Sequence, residues 1–263
     1  MAGRPLENRV ALVTGASSGI GRAIALALAA GGATVRAVGR DARRLADLVV
    51  EAEAVHARIE AVPCDLTDDR AIRALSADLA STAGALDVLV HAAGTIDFGT
   101  VAEAPIDQLD RMVSVNLRAP YVLTQAMLPL LRHSRGHIIF INSSAGLRPS
   151  GGVAAYGATK HALRGLADAL RDEVNPLGIR VTSVFPGRTR TPLQASVYRW
   201  EGRDEPLAGL LEPADIASMV VAVVSLPESA EVTDVHLRPA IPPAGRPEAS
   251  SEEAAEPGRS GVT

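Results

Sequence analysis

Tyr156 and Lys160 stand four residues apart in Val153 to Asn175, a stretch of helical character, so their side chains share one face and lie within reach of each other. A free phenol titrates near ~10, too high for acid–base work at neutral pH. A neighbouring ammonium favours the phenolate and brings that value toward a useful range. Ser143 precedes the tyrosine by thirteen residues, at the end of an apolar segment, where its hydroxyl could hydrogen-bond the same substrate oxygen. Together these groups could bind a carbonyl or alcohol oxygen and move one proton at it. Taken alone, a tyrosine and a lysine at this spacing more often describe a solvated surface pair. The elements that must position them decide between the two.

Val10 to Gly31, VALVTGASSGIGRAIALALAAG, reads as strand, glycine turn and helix. Gly15 permits a sharp turn, Gly19 lets the backbone approach a pyrophosphate, and Gly21 lets the helix pack on the strand. The helix N-terminus then offers N–H groups and a positive dipole end to phosphates. The spacing Gly-x-x-x-Gly-x-Gly is one residue longer than the GxGxxG fingerprint. Gly15-Ala16-Ser17-Ser18-Gly19 also fits Gly-x-Ser-x-Gly, the nucleophile elbow of α/β-hydrolases. Such an elbow needs earlier strands and an oxyanion loop, and only nine residues precede Val10.

The remaining chain alternates strands and helices. Strands are expected at Thr34 to Val38, Ile59 to Pro63, Leu86 to Val90, Gly136 to Asn142, Arg180 to Phe185 and Val232 to Arg238. Helices are expected at about Asp41 to His56, Asp68 to Ala83, Pro105 to His133, Val153 to Asn175, and from Glu212-Pro213 to Ser225, with a loop at Ser143 to Gly152. Such apolar strands, each separated by a helix, suit a parallel sheet covered on both faces. The fold class expected is α/β, a single-domain, doubly wound, Rossmann-type parallel sheet of about seven strands. Residues 1–238 form that domain; residues 239–263, with five prolines and no aromatic, read as a disordered tail. With 47% hydrophobic residues in 263, the chain can bury one sizeable core. A net charge of −4 gives no basic stripe for nucleic acid, and the single Cys64 permits no intrachain disulfide. No apolar run approaches the ~18 residues of a membrane span, nor does MAGRPLENR hold a signal core, so a cytoplasmic protein is expected.

With these segments in order, the chain resembles a short-chain dehydrogenase/reductase of the Tyr-x-x-x-Lys kind, over about Leu6 to Arg238. TGASSGIG at Thr14 to Gly21 matches the cofactor turn, Asp65 the residue that contacts adenine, and HAAG at His91 to Gly94 stands where the family usually has Asn-Asn-Ala-Gly. Asn116, Ser143, Tyr156 and Lys160 match the catalytic tetrad. Pro186-Gly187 with Thr191 matches the segment beside the nicotinamide. The resemblance implies that Gly15, Ser17, Ser18, Gly19, Ile20, Gly21, Asp65, Leu66, Ala93, Gly94, Tyr156, Lys160, Pro186, Gly187, Thr189 and Thr191 contact the dinucleotide, with no metal. It implies that Ser143 and Tyr156 bind the carbonyl oxygen, and that Tyr156 donates the proton. Lys160 would hold the nicotinamide ribose and, with the positive charge of oxidised nicotinamide, lower the tyrosine pKa. The Asn116 carbonyl would hold a water linking Lys160 to solvent. Pro120, four residues on, lacks the N–H that would occupy that carbonyl.

Cofactor choice rests on Gly39-Arg40 at the end of the second strand. An acidic residue there would bind the ribose 2′-OH of NAD, whereas a guanidinium suits a 2′-phosphate. NADP(H) is therefore expected over NAD(H), with Arg40 as the contact and Arg43 or Arg44 as helpers. Residues 186–211 should be an irregular substrate lid, where Tyr198 and Trp200 suit an apolar or ring-containing substrate or else anchor the lid. Ala158, Ala162, Gly165 and Ala169 permit close helix packing, and relatives use this helix in assembly, so a homodimer or homotetramer is expected. The expected function is NADP(H)-dependent interconversion of a carbonyl and an alcohol. The alternative is a non-catalytic NADP(H) sensor, which would have no need of a tuned phenol.

Overall fold

A computed structural model of the chain describes residues 4–204 and 209–241. Among the described residues, strands β1 (Val10–Thr14), β2 (Thr34–Gly39), β3 (Arg58–Pro63), β4 (Val88–His91), β5 (His137–Ile141), β6 (Arg180–Pro186) and β7 (Asp234–Leu237) make one parallel sheet. Its order is β3-β2-β1-β4-β5-β6-β7, the Rossmann-type architecture expected. The winding reverses between β1 and β4, and open parallel sheets bind ligands beyond the strand C-termini at such a point.

The helices are α1 (Gly19–Ala30), α2 (Ala42–Glu53), α3 (Asp69–Thr82), α4 (Ile106–Val113), α5 (Ala119–Ser134), α6 (Ala154–Val174), α7 (Pro192–Trp200) and α8 (Pro213–Val224). Successive strand side chains point to opposite faces, so each strand feeds two cores. Ala11, Val13, Val90, Ile139 and Ile141 meet Ile24 and Leu28 of α1 and Ile216 and Val220 of α8. Leu12, Leu89, Ile138 and Phe140 meet Ile72 of α3, Met127 of α5 and Leu163 of α6. Burying each large side chain contributes on the order of 1.5–3 kcal/mol, and the close packing holds the strand ends in place. Among the described residues no helix is long and apolar enough to cross a membrane.

Three features depart from the sequence expectations. The segment expected to be irregular, residues 186–211, contains α7. Thr191 caps that helix by accepting the Gln194 N–H at 3.1 Å, and Pro192 takes the first helical position, where a missing N–H is no loss. The helix expected from Pro105 to His133 is broken by a π turn, Ser114–Arg118, between α4 and α5. Ala119 N–H bonds Ser114 O there, a widened ladder that suits Pro120, which cannot donate. The loop after β5 opens with a single 3₁₀ turn, Ser144–Gly146. Residues 205–208 of the expected lid and 242–263 of the expected tail lie outside the described residues.

Candidate active site

The C-terminal ends of β1, β2, β4, β5 and β6 border one cleft of about 560 Å³. Its floor is the turn after β1. Gly15 has φ +66, and a Cβ there would lie 2.8 Å from the backbone of Ala92 and Ala93; a Cβ on Gly21 would lie 2.4 Å from the Gly15 carbonyl oxygen. Only glycine fits either position, because the turn is folded onto itself and against the end of β4. Thr14 completes the joint. Its hydroxyl donates to Val90 O at 3.1 Å and accepts the N–H groups of Ala92 and Ala93 at 3.0 and 3.2 Å. Sequence reasoning assigned Thr14 no such role. Ser18 precedes α1 but its side chain does not cap the helix, which leaves the positive helix end directed at the cleft.

At the far end, Arg40 follows β2, is exposed, and lines the cleft together with Arg44, Asp65 and Leu66; Arg43 does not line it. Asp41 also lines this end, but its carboxylate caps α2 by accepting the Arg44 N–H at 3.0 Å and pairs with Arg44 Nε at 3.3 Å. Asp65 accepts the backbone N–H and hydroxyl of Thr67 at 2.9 and 2.8 Å. Those bonds, more than the Arg40 guanidinium nearby, hold its carboxyl below the usual range.

The opposite end is built by β5, α6 and the loop after β4. Asn142 ties the end of β5 to α6, donating to Lys160 O at 3.1 Å and accepting the Ser143 N–H at 2.9 Å. Its side chain therefore sets the two elements that carry Ser143, Tyr156 and Lys160, a role the sequence did not reveal. Ser143 Oγ accepts the Ala145 N–H at 3.1 Å and hydrogen-bonds the Tyr156 side chain. Lys160 is buried, and its Nζ donates to Ile141 O at 3.0 Å while standing 5.9 Å from the centre of the Tyr156 ring. Burial pushes the lysine down to about 8.

Lys160 was expected to depress the tyrosine pKa together with the charge of oxidised nicotinamide; the chain's own residues act on that phenol chiefly through burial. Burial raises the Tyr156 phenol above its ordinary value, and only the Ser143 hydrogen bond opposes it. The ammonium donates to the Ile141 carbonyl and stands 5.9 Å from the centre of the Tyr156 ring.

Asn116 is fully buried in the π turn. Its Oδ1 accepts the Thr95 N–H at 2.8 Å, and its Nδ2 donates to Thr95 O at 2.9 Å and Thr159 Oγ1 at 3.1 Å. The side chain clamps the loop that follows Gly94 onto α6. A Cβ on Gly94 would lie 3.5 Å from Asn116 Oδ1 and 3.8 Å from Lys160 Nζ, ordinary contact distances that place both groups beside this residue. The structure thus brings Ser143, Tyr156, Lys160 and the residues expected at a dinucleotide into one cleft, with Asn116 behind its wall.

His91, in place of an asparagine, stacks on Phe140 with ring centres 4.8 Å apart, and its Nε2 lies 2.8 Å from Thr124 Oγ1. It is a buried sheet residue that fastens α5. Of the two lid aromatics, Tyr198 is 1% exposed and is an anchor, covered by Arg188, which pairs with Glu201. Trp200 stacks on Phe98 with ring centres 5.1 Å apart. A Cβ on Gly152 would collide with the indole, so that stack spans the lid, the loop after β4 and the loop before α6. Arg111 lines the cleft with its charge matched by Asp97 at 2.9 Å.

Residues 9–202 match the family model described as short chain dehydrogenase. The chain is 35% identical over 235 residues to an uncharacterised oxidoreductase of Staphylococcus epidermidis, covering 89% of this chain and 98% of that protein. It is similar to a metagenomic short-chain oxidoreductase solved in complex with NADP, with TM-score 0.78, 34% identity, and coverage of 90% and 99% of the two chains. It is also similar to an alcohol dehydrogenase from the archaeon Thermococcus sibiricus complexed with 5-hydroxy-NADP, with TM-score 0.81, 28% identity, and coverage of 91% and 99%. Joined to the parallel sheet and the cleft at its strand ends, the match over residues 9–202 establishes that the chain belongs to the short-chain dehydrogenase family of oxidoreductases.

Proposed function

We propose that the protein interconverts a ketone or aldehyde with the corresponding alcohol, using NADP(H), with Tyr156 as the proton donor and acceptor. The observation that carries this reading is the cluster of half-buried Ser143 with buried Tyr156 and Lys160 at one end of a cleft whose other end holds Arg40. The residues present fit NADP(H). The α1 N-terminus, which the Ser18 side chain does not cap, suits the pyrophosphate, and Arg40 suits a 2′-phosphate. The carboxylate next to Arg40 in the chain, Asp41, caps α2 and is engaged by Arg44. Lys160 would hold the nicotinamide ribose. The two similar solved structures were obtained with NADP or a derivative of it.

Bound NADP(H) supplies or takes up the hydride. The hydroxyls of Ser143 and Tyr156 bind the carbonyl oxygen. The Tyr156 phenol, protonated at neutral pH like any tyrosine and shifted further that way by burial, can release a proton to that oxygen as the carbonyl is reduced. In the reverse direction the phenol oxygen takes the proton from the alcohol. With its pKa near 8, Lys160 is still an ammonium at pH 7. A Tyr156→Phe variant should bind NADPH as the wild type does and lose ~10²–10⁴-fold in turnover. Turnover within tenfold of wild type would refute the assignment.

The reading includes self-association. Ala158, Ala162, Gly165 and Ala169 present a narrow, exposed surface on α6, beside α4, where Ile106 is 71% exposed. Sedimentation at micromolar concentration should give a dimer or tetramer; a monomer would exclude it.

A further inference from the structure

Gln194 sits on the first turn of α7 and is 8% exposed, and its side-chain Nε2 is sealed from solvent with no hydrogen-bond partner. Unmet buried donors are rare in folded chains, and a ligand is one of the few explanations for keeping one. Gln194 shares a helix face with Tyr198, four residues on and 1% exposed, so the amide is held inward by an anchored helix. The side chain also lines the dinucleotide cleft.

Its neighbours narrow the ligand. The first turn of α7 rests on the first residue of α1, since a Cβ on Gly19 would lie 3.2 Å from Thr191 Cγ2 and 4.0 Å from Pro192 Cδ. Among the described residues, the cationic side chains lining the cleft are Arg40 and Arg44 at the end of β2, and Arg111 and Lys160 on the Tyr156 side. The glycine turn and the start of α7 contribute none. An anion at this point must therefore be held by neutral donors.

We propose that Gln194 is a pyrophosphate-binding residue, its amide NH₂ donating to a pyrophosphate oxygen of NADP(H) and drawing α7 onto the cofactor. This rests on the reading of the cleft as an NADP(H) site. The NH₂ is sealed in this conformation, and a half-turn about the soft last torsion exchanges it with the carbonyl oxygen, so binding requires that rotation.

The test is calorimetric binding of NADPH, and of adenosine 2′-phosphate, which lacks the pyrophosphate, to wild type, Gln194→Met and Gln194→Glu. Methionine keeps the length and burial without the donor, and glutamate sets an anion against the pyrophosphate. NADPH should bind about tenfold more weakly to the methionine variant and at least a hundredfold more weakly to the glutamate variant, on the order of 1.4 kcal/mol per tenfold. Adenosine 2′-phosphate should bind the wild type and both variants equally. The ligand-free melting temperature of Gln194→Met should equal or exceed that of the wild type, because an unmet donor has been removed. NADPH affinity within twofold of wild type in the methionine variant overturns the proposal. So does a parallel loss for both ligands, or a fall in melting temperature alongside affinity, since either marks structural damage. A wild type that binds no NADPH refutes the cofactor reading itself, whereas a wild type that binds it and variants that match refute Gln194 alone.

Discussion

Acidification from pH 7.5 to 5.0 should destabilise this fold by about 4 kcal/mol through two buried histidines, His91 and His137. His91 ends β4 against Phe140 and Thr124. His137 begins β5, and its Nε2 lies 2.8 Å from Thr182 Oγ1. The Thr182 hydroxyl donates onward to Val232 O, so Nε2 must carry the hydrogen and donate to Oγ1, while Nδ1 is buried with no partner. Protonating Nδ1 would place a second cation near Arg180. Burial pushes both imidazoles from 6.5 down to about 3, helped at His137 by Arg180. The unfolded chain therefore takes up two protons as the pH drops through about 6.5, and the folded chain takes them up only near 3. Their stabilisation is whole above pH 6.5 and is lost across the window below it, at about 2 kcal/mol per histidine by pH 5.0. For a chain of this size that is a fall of about 10 °C in Tm. Asp65 and Asp69, held below the usual range, lose their contribution only below about pH 4 and leave this window clear. Thermal melts followed by circular dichroism at pH 7.5, 6.0 and 5.0 test the claim. In His91→Asn the pH-dependent fall should halve. A wild-type Tm that moves by less than 2 °C, or an undiminished fall in the variant, would refute the reasoning.

Two further outcomes bear on the cleft. Replacing Arg40 with serine should weaken NADPH about tenfold and leave NADH within twofold, measured by calorimetry, because an exposed guanidinium–phosphate pair contributes about 1–2 kcal/mol; equal losses for both cofactors would remove Arg40 from the 2′-phosphate. Trp200 is the sole tryptophan and is 46% exposed over Phe98, so Phe98→Ala should move the emission to longer wavelength, while an unchanged spectrum would mean the stack does not hold the lid.

What could be read from the sequence was the chemistry that constrains residue type at fixed spacing. Tyr156 and Lys160 lie one helical turn apart because both must face one cleft, and the glycines at 15 and 21 recur because any Cβ there meets backbone. The contacts that hold them were not legible, even where a residue such as Asn116 was singled out, because the partners are distant in the chain. Asn142 meets Lys160 across 18 residues, Asn116 meets Thr159 across 43, and Thr14 meets Ala92 across 78. Helix α7 was missed although Thr191-Pro192 is a cap followed by a first-turn proline. Its inner face is Gln194 and Tyr198 alone, too few apolar positions to show a helical period.

Burial moves the two titrating groups of the site in opposite directions, raising the tyrosine and lowering the lysine, because in each it disfavours the charged form. The spacing of Tyr156 and Lys160 suggests an ammonium that stabilises a phenolate, whereas the folded chain by itself makes a neutral phenol beside a weakly held ammonium. That arrangement favours an acid over a base. In the proposed reaction, a protonated phenol is the form that gives its proton to a carbonyl oxygen. Alcohol oxidation needs the phenolate, and the positive charge that would favour it belongs to the oxidised nicotinamide. On the proposed NADP(H) reading, the form of the bound cofactor would set which way the proton at Tyr156 moves.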